Sequence, residues 1–147
     1  MGLTLLLAGF LFAASPEETQ VTAAVQRLFD AMAAHDSAKI QAAFVKDAQL
    51  ISLRADGTPA VSSAETFATR IGAAKEALLE RMWDPKILVQ GTIAHLWAPY
   101  DFHRDGKFHH CGIDSVSLVK VEGAWKVAGI SYTSETTNCP PSPPMQK

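Results

Sequence analysis

The chain has 147 residues, 48% of them hydrophobic, with thirteen basic and fifteen acidic residues spread along it and a formal net charge of −2. That is one domain's worth of chain, with enough apolar content for a sizeable core. It carries no basic stripe for nucleic acid and no polybasic patch for a membrane surface, so nucleic-acid binding is not expected.

Residues 1–15, Met-Gly-Leu-Thr-Leu-Leu-Leu-Ala-Gly-Phe-Leu-Phe-Ala-Ala-Ser, are an apolar run of secretory length that ends in small residues. The run is too short to span a bilayer. It predicts an export signal and a periplasmic or secreted protein. No Lys or Arg precedes the run and the cleavage site is not ideal, which leaves a short anchor or a misassigned start as alternatives. The domain proper is then residues 16–137.

Ser15-Pro16-Glu17-Glu18 predicts a helix start, with Ser as N-cap, Pro at the first helical position and Glu three residues after the cap. Val21, Ala24, Val25, Leu28, Phe29 and Met32 recur at three- and four-residue steps, the mark of a core-facing helix that runs to about His35. Asp36 or Ser37 caps a second short helix, Ala38 to Phe44, and Leu50–Leu53 is a brief strand ended by Ala-Asp-Gly-Thr-Pro. Ser63 begins a third helix, Ala64 to about Ala74, with a continuation toward Glu80 left open. Leu79–Trp83 and Lys86–Gln90 are strand pieces interrupted at Asp84-Pro85. The final third, Ala94 to Glu135, is three strands joined by turns at Asp105-Gly106 and Glu122-Gly123. Residues 138–147, with four prolines in the last eight, form a flexible tail outside any sheet. Helices followed by a meander of strands predict an α+β domain, its helices on one face of a mostly antiparallel sheet.

Tight turns fix register, so the hairpins predict which side chains share a face. Centring the first on Asp105-Gly106 pairs His103 with Phe108, Asp101 with His110, Pro99 with Gly112 and Trp97 with Asp114. Centring the second on Glu122-Gly123 pairs Leu118 with Val127, Lys120 with Trp125 and Asp114 with Ser131. Val116, Leu118, Trp125 and Val127 then mark a buried face, and Asp114 lies on it. A carboxylate buried there is hydrogen-bonded, protonated or open to a wet cavity, and burial raises its pKa toward the range of a neutral-pH acid or base. The plainer alternative is an Asp held by Ser131 and an indole.

His110 opposite Asp101 would make an acid–base couple. A bulge at Pro99 or Gly112 would instead bring His109 inward, because neighbours on a strand point opposite ways. His95, Trp97 and Tyr100 are further candidates for a pocket lining. His95 lies roughly 20 Å from Asp101 at about 3.3 Å per residue, so His95, His103 and His110 make no compact zinc site and no metal or cofactor is expected. Arg54 and Arg81 would suit an anionic ligand only if near a pocket. Glu65, Lys75 and Glu76 read as outward helix positions. No phosphate loop, nucleophile elbow or dinucleotide fingerprint occurs. Cys111 and Cys139, the two cysteines, have no metal-type spacing. The second hairpin sets Cys111 across from about Ser134, so a disulfide requires the chain after Glu135 to curl back, which an oxidising compartment would favour.

The run Leu-Trp-Ala-Pro-Tyr-Asp-Phe-His-Arg-Asp-Gly-Lys, the His-Cys-Gly-Ile-Asp that follows and the closing Gly-Ala-Trp-Lys-Val with Ser-Tyr-Thr resemble bacterial proteins of the nuclear transport factor 2-like superfamily. The resemblance spans about Thr19 to Cys139 and is nearest to an exported branch labelled putative lumazine-binding. It implies a cone: a long first helix and two shorter ones against a strongly curved sheet, an internal cavity, and dimerisation through the sheet. The superfamily includes ketosteroid isomerase, scytalone dehydratase, limonene epoxide hydrolase and polyketide cyclases beside non-catalytic members. None of their catalytic motifs matches here residue by residue. The resulting expectation is an exported homodimer whose cavity binds a small organic molecule, lined by Trp97, Tyr100, Asp101, His110, Asp114 and Trp125. The alternative is an isomerase, dehydratase or cyclase in which Asp114 and His110 move protons.

Overall fold

Three polar caps set where the helices begin. The computed structural model describes residues 14–145, so the predicted export signal lies outside the described residues save for Ala14 and Ser15. Ser15 Oγ accepts from the Glu18 amide at 3.2 Å while Glu18 Oε2 accepts from the Ser15 amide at 2.6 Å, the reciprocal pair predicted for the first helix. Asp36 accepts from the Lys39 amide and Ser63 from the Thr66 amide in the same way.

Along the described chain the elements are α1 (Pro16–Ala33), α2 (Ser37–Ala43), β1 (Phe44–Arg54), β2 (Pro59–Ser63), α3 (Ala64–Gly72), β3 (Leu78–Met82), β4 (Lys86–Gln90), β5 (Ile93–Arg104), β6 (Lys107–Val121) and β7 (Ala124–Ser134). The sheet runs β2-β1-β7-β6-β5-β3, with β4 also on β5, and only the β1–β7 pairing is parallel. This is the α+β cone: helices on one side of a curved, mostly antiparallel, open sheet. Strand β1 is longer than Leu50–Leu53, and β2 has no counterpart among the predicted elements. Helix α3 stops at Gly72 and does not continue toward Glu80. A Cβ at Gly72 would meet Ser37 Cβ at 2.9 Å, so the helix end is packed hard against α2.

The buried stripe of α1, Val21, Val25, Leu28, Phe29 and Met32, lies over the sheet. Its N-terminus is fixed by Glu17, whose carboxylate accepts from Lys120 Nζ at 2.9 and 3.0 Å and from Trp125 Nε1 at 3.1 Å. Trp125 is thus a buried strut between helix and sheet.

Both predicted turns are present, with Asp105, Gly106, Glu122 and Gly123 all at positive φ, the two-residue turn that suits the twist of antiparallel strands. Beyond each turn the ladder slips by one. His103 faces Phe108 and Phe102 faces His110, leaving His109 as an extra residue. Asp101 therefore opposes Cys111, Tyr100 opposes Gly112, Pro99 opposes Ile113 and Trp97 opposes Ser115, in place of the predicted partners. In the second hairpin Leu118 opposes Val127 and Lys120 opposes Trp125 as predicted. Ala128 is then extra, and Asp114 opposes Tyr132 rather than Ser131. Each bulge reverses which side chains of the next strand share a face.

Past β7 the chain does curl back. Cys139 is bonded to Cys111 with their Cα atoms 5.7 Å apart, and Arg81 Nη1 donates to the Pro143 carbonyl at 3.1 Å. The described part of the tail, residues 138–145, lies outside the strands and is tethered to the outer face of the sheet.

Gly112 of β6 lies hard against Thr133 of β7. A Cβ there would run into the Thr133 carbonyl and hydroxyl, the same carbonyl that Tyr100 Oη donates to at 2.7 Å. Gly112→Ala is expected to lower stability by about 2–4 kcal/mol in urea unfolding, because backbone rather than a flexible side chain must move.

Candidate functional site

Helices α1 and α3 and the inner faces of β1, β3, β5, β6 and β7 enclose a cavity of about 550 Å³. That volume suits a small organic molecule. Leu28, Phe29 and Met32 from α1, Phe67 and Ile71 from α3, and Leu50, Leu78, Phe102 and Ile130 from the sheet make its apolar wall. Its exposed lining residues, Arg70, Ala73 and Arg104, mark the rim, and Asp114 and Tyr100, 4% and 1% exposed, mark the floor.

The polar centre is a pair of carboxyl groups. Alternation along β3 turns Leu78 and Glu80 inward and Leu79 and Arg81 outward, and Asp114 comes inward from β6 beside Val116 and Leu118. Glu80 and Asp114 lie within hydrogen-bonding reach of each other. Burial pushes Asp114 up to about 7, against the downward pull of its hydrogen bond with Glu80. Burial also drives Glu80 well above the carboxylate range, helped by the charge of Asp114 and by the hydrogen bond between them. Two carboxylates so placed cannot both ionise cheaply, so the pair keeps a proton well above the ordinary carboxylate range, and its first ionisation falls near neutral pH. Asp114 Oδ2 has no hydrogen-bond partner.

The groups around the pair are uncharged. Burial, then the neighbouring His109 and Arg104, pushes His110 down to about 4, which makes it a neutral imidazole. Burial raises the hydroxyls of Tyr100 and Tyr132 above their ordinary range, and their rings meet edge to face at 6.2 Å. His110 stands edge-on to Tyr100 at 5.7 Å and lies over Phe102 at 5.0 Å.

Of the residues predicted from sequence, the fold brings Asp114, His110 and Tyr100 to the cavity. It does not bring Trp97, Asp101 or Trp125. Trp97 is 48% exposed on the outer sheet face, since alternation along β5 gives the inner positions to Ala98, Tyr100 and Phe102 and the bulge at His109 sets Asp114 opposite Ala98 rather than Trp97. Asp101 faces outward too, and it pairs with Arg81 Nε at 2.8 Å and lies 3.2 Å from His103 Nε2, not with His110. Burial would lift Asp101, but the hydrogen bonds from Arg81, with His103 close by, hold it below the usual carboxylate range. Trp125 is committed to Glu17. His109 and His110 do not point opposite ways: the bulge sets their Nδ1 atoms 2.8 Å apart. His95 lies 3.3 Å from Ser115 Oγ, away from the cavity lining. Among the described residues no three His, Cys, Asp or Glu side chains gather as metal ligands.

Glu80 is the group that sequence reasoning missed. Its signal is present in Leu78-Leu79-Glu80-Arg81-Met82, where strand alternation puts Glu80 on the face of Leu78 and Met82. The same segment also scans as a continuation of α3, which leaves its faces unassigned.

Residues 16–133 match the model of the family described as Putative lumazine-binding. No curated protein matches the chain. Among solved structures it is similar to a protein of unknown function with a cystatin-like fold from Nostoc punctiforme, at 12% identity and a TM-score of 0.67 over 84% of this chain and 95% of that one. It is similar to the beta subunit of a putative aromatic-ring-hydroxylating dioxygenase from Novosphingobium aromaticivorans, at 15% identity and a TM-score of 0.67 over 82% of this chain and 90% of that one. A putative dehydratase from the NTF2-like family of Streptomyces avermitilis aligns at 12% identity and a TM-score of 0.65 over 82% of this chain and 98% of that one. At these identities the likeness establishes the shared fold.

A folded-state pKa of about 7 against 3.8 for a free Asp means that the native state binds the extra proton more tightly than the unfolded chain. The stability this contributes is complete below pH 4 and is lost as pH rises through 7. His110 acts in the opposite sense, with stability lost as pH falls from 6.5 toward 4. The Asp114→Asn variant should therefore match wild type in melting temperature near pH 4 and gain on it progressively to pH 8. The differential is on the order of 4 kcal/mol, since each tenfold change in proton affinity is worth about 1.4 kcal/mol.

Proposed function

The chain belongs to the Putative lumazine-binding family, and we propose that it is an exported small-molecule-binding protein whose cavity holds a largely apolar organic ligand anchored on Glu80 and Asp114. The observation that carries this reading is the carboxyl pair of Glu80 and Asp114, two polar side chains set side by side in the lining of an otherwise largely apolar cavity of about 550 Å³. A ligand hydroxyl or N–H that reaches the pair adds a hydrogen bond to a charged or shared-proton acceptor, worth on the order of 1–3 kcal/mol. The family description makes a lumazine-type heterocycle the first ligand to try, because the edge of such a ring offers both a donor and an acceptor to a singly protonated carboxyl pair. Export is supported by the apolar N-terminal run and by the disulfide. Dimerisation through the sheet is supported by the exposed apolar side chains Leu88, Ile93 and Trp97 near one another on β4 and β5.

A second reading is favoured by the carboxyl pair itself. An ionised Asp114 beside a protonated Glu80 is arranged to take a proton from carbon next to a carbonyl while Glu80 donates to the carbonyl oxygen, the chemistry of an isomerase or dehydratase. The two readings share a site and differ in turnover.

Native mass spectrometry of the purified protein, compared with its denatured intact mass, tests the first. A small-molecule mass that leaves on denaturation, and that Asp114→Asn retains at no more than about a tenth of wild-type occupancy, is the expected result. Chemical conversion of the released molecule by wild type but not by Asp114→Asn would establish the enzymatic reading.

A further inference from the structure

The rim of the cavity has a charge pattern different from its floor. Arg70, in the last turn of α3, lies with its guanidinium 5.7 Å from the centre of the Phe67 ring, and Arg104, at the end of β5, lies 5.9 Å from the Phe102 ring. Both rings line the cavity, so each guanidinium is held at the opening by stacking on a wall residue, an arrangement that leaves the edge N–H groups free to donate. Arg104 is answered by Glu76 at 3.7 Å. Arg70 has no carboxylate within 4.0 Å among the described residues and makes no side-chain hydrogen bond to them. Among those residues it is the one lining arginine without a partner.

We propose that the ligand is an amphiphilic organic acid, its apolar body filling the cavity and its carboxylate, sulfonate or phosphate group held at the rim by Arg70. This rests on the cavity-binding reading above and adds the ligand's charge and its orientation. An acid entering head first would meet the negative charge shared by Glu80 and Asp114 at the floor, whereas an acid left at the rim meets a planar fork of donors. A cationic ligand would have to pass both arginines and then leave water. The floor therefore takes an uncharged donor, and the acidic group stays outside it. Arg70 is the residue that sets this specificity.

Two dyes that differ in one group provide the test. 8-Anilinonaphthalene-1-sulfonate and N-phenyl-1-naphthylamine share an aromatic body and an uncharged N–H, and only the first carries an acid. Their dissociation constants are measured by fluorescence titration of the whole protein, with Ile130→Trp, which fills the cavity, defining dye bound elsewhere. Arg70→Gln should weaken the sulfonate about tenfold and the neutral dye less than about twofold, and Arg70→Lys should restore part of the difference. Raising salt from about 0.05 to about 0.5 M should narrow the gap between the dyes in wild type only. Equal effects of Arg70→Gln on both dyes, or none on either, would overturn the inference while leaving the cavity reading standing. Failure of both dyes to occupy the wild-type cavity would overturn both.

Discussion

The single extra residue at His109 governs what this protein can do. Strands β5 and β6 form the longest pairing of the sheet, and side chains along a strand alternate between faces, so a slip of one residue exchanges which set of β6 side chains lies beside the inner set of β5. With the bulge, Ala94, Leu96, Ala98, Tyr100 and Phe102 face the helices and Trp97, Asp101 and His103 face away. Without it, Cys111, Ile113 and Ser115 would take the inner face of β6 opposite Tyr100, Ala98 and Leu96, in place of Gly112, Asp114 and Val116. The bulge also seats His109 and His110 on one side and gives the sheet the local twist that a cone needs. The second bulge, at Ala128, does the same for β7: Val127, Ile130 and Tyr132 all turn inward and Ser131 turns out.

Much of the fold is legible in the chain. Ser15, Asp36 and Ser63 announce the three helices because a cap is a local hydrogen bond between residues three apart. The two hairpin turns are legible for the same reason, since Asp105-Gly106 and Glu122-Gly123 need only their own backbone angles. The bulges are not, because an inserted residue is settled by what the rest of the strand has to bury. The unbroken alternation from Ala94 to Phe102 does contain the answer. It puts apolar side chains at every second position and leaves Asp101 and His103 for the other face, which contradicts a simple count outward from the turn. Asp114 is legible because Val116 and Leu118 share its strand and its face. Glu80 is not, because its inward direction depends on a strand of five residues that also scans as the end of α3.

The pairing of Glu80 with Asp114 gives the cavity a polarity that neither residue would have alone. A lone buried aspartate would be neutral up to a high pH or would draw in water and ions. Two together retain a proton between them, so once Asp114 ionises the floor offers a donor and an acceptor at once. The wall above the pair is largely apolar, and at the rim Arg104 is paired with Glu76 while Arg70 is left, among the described residues, as the unpaired positive charge. A molecule entering therefore moves from a positive opening, through an apolar waist, to a hydrogen-bonding floor.

The inner and outer faces of the sheet are also linked through adjacent residues. Glu80 points into the cavity, and Arg81, next to it, points to the outer face. There Arg81 joins Asp101 and reaches the carbonyls of Pro143 and Pro144 in the tethered tail. Tyr100 and Asp101 divide in the same way on β5. The negative charge of Asp101 is felt through the sheet by Glu80 and adds to the forces that keep it protonated. Arg81 is what keeps that influence small, since its bidentate contact neutralises Asp101 at close range. The proline-rich tail, bonded at Cys139 and covering this ion pair, shields it from water. The tail and the cavity are thus joined through β3 and β5, two strands whose neighbouring residues serve opposite faces.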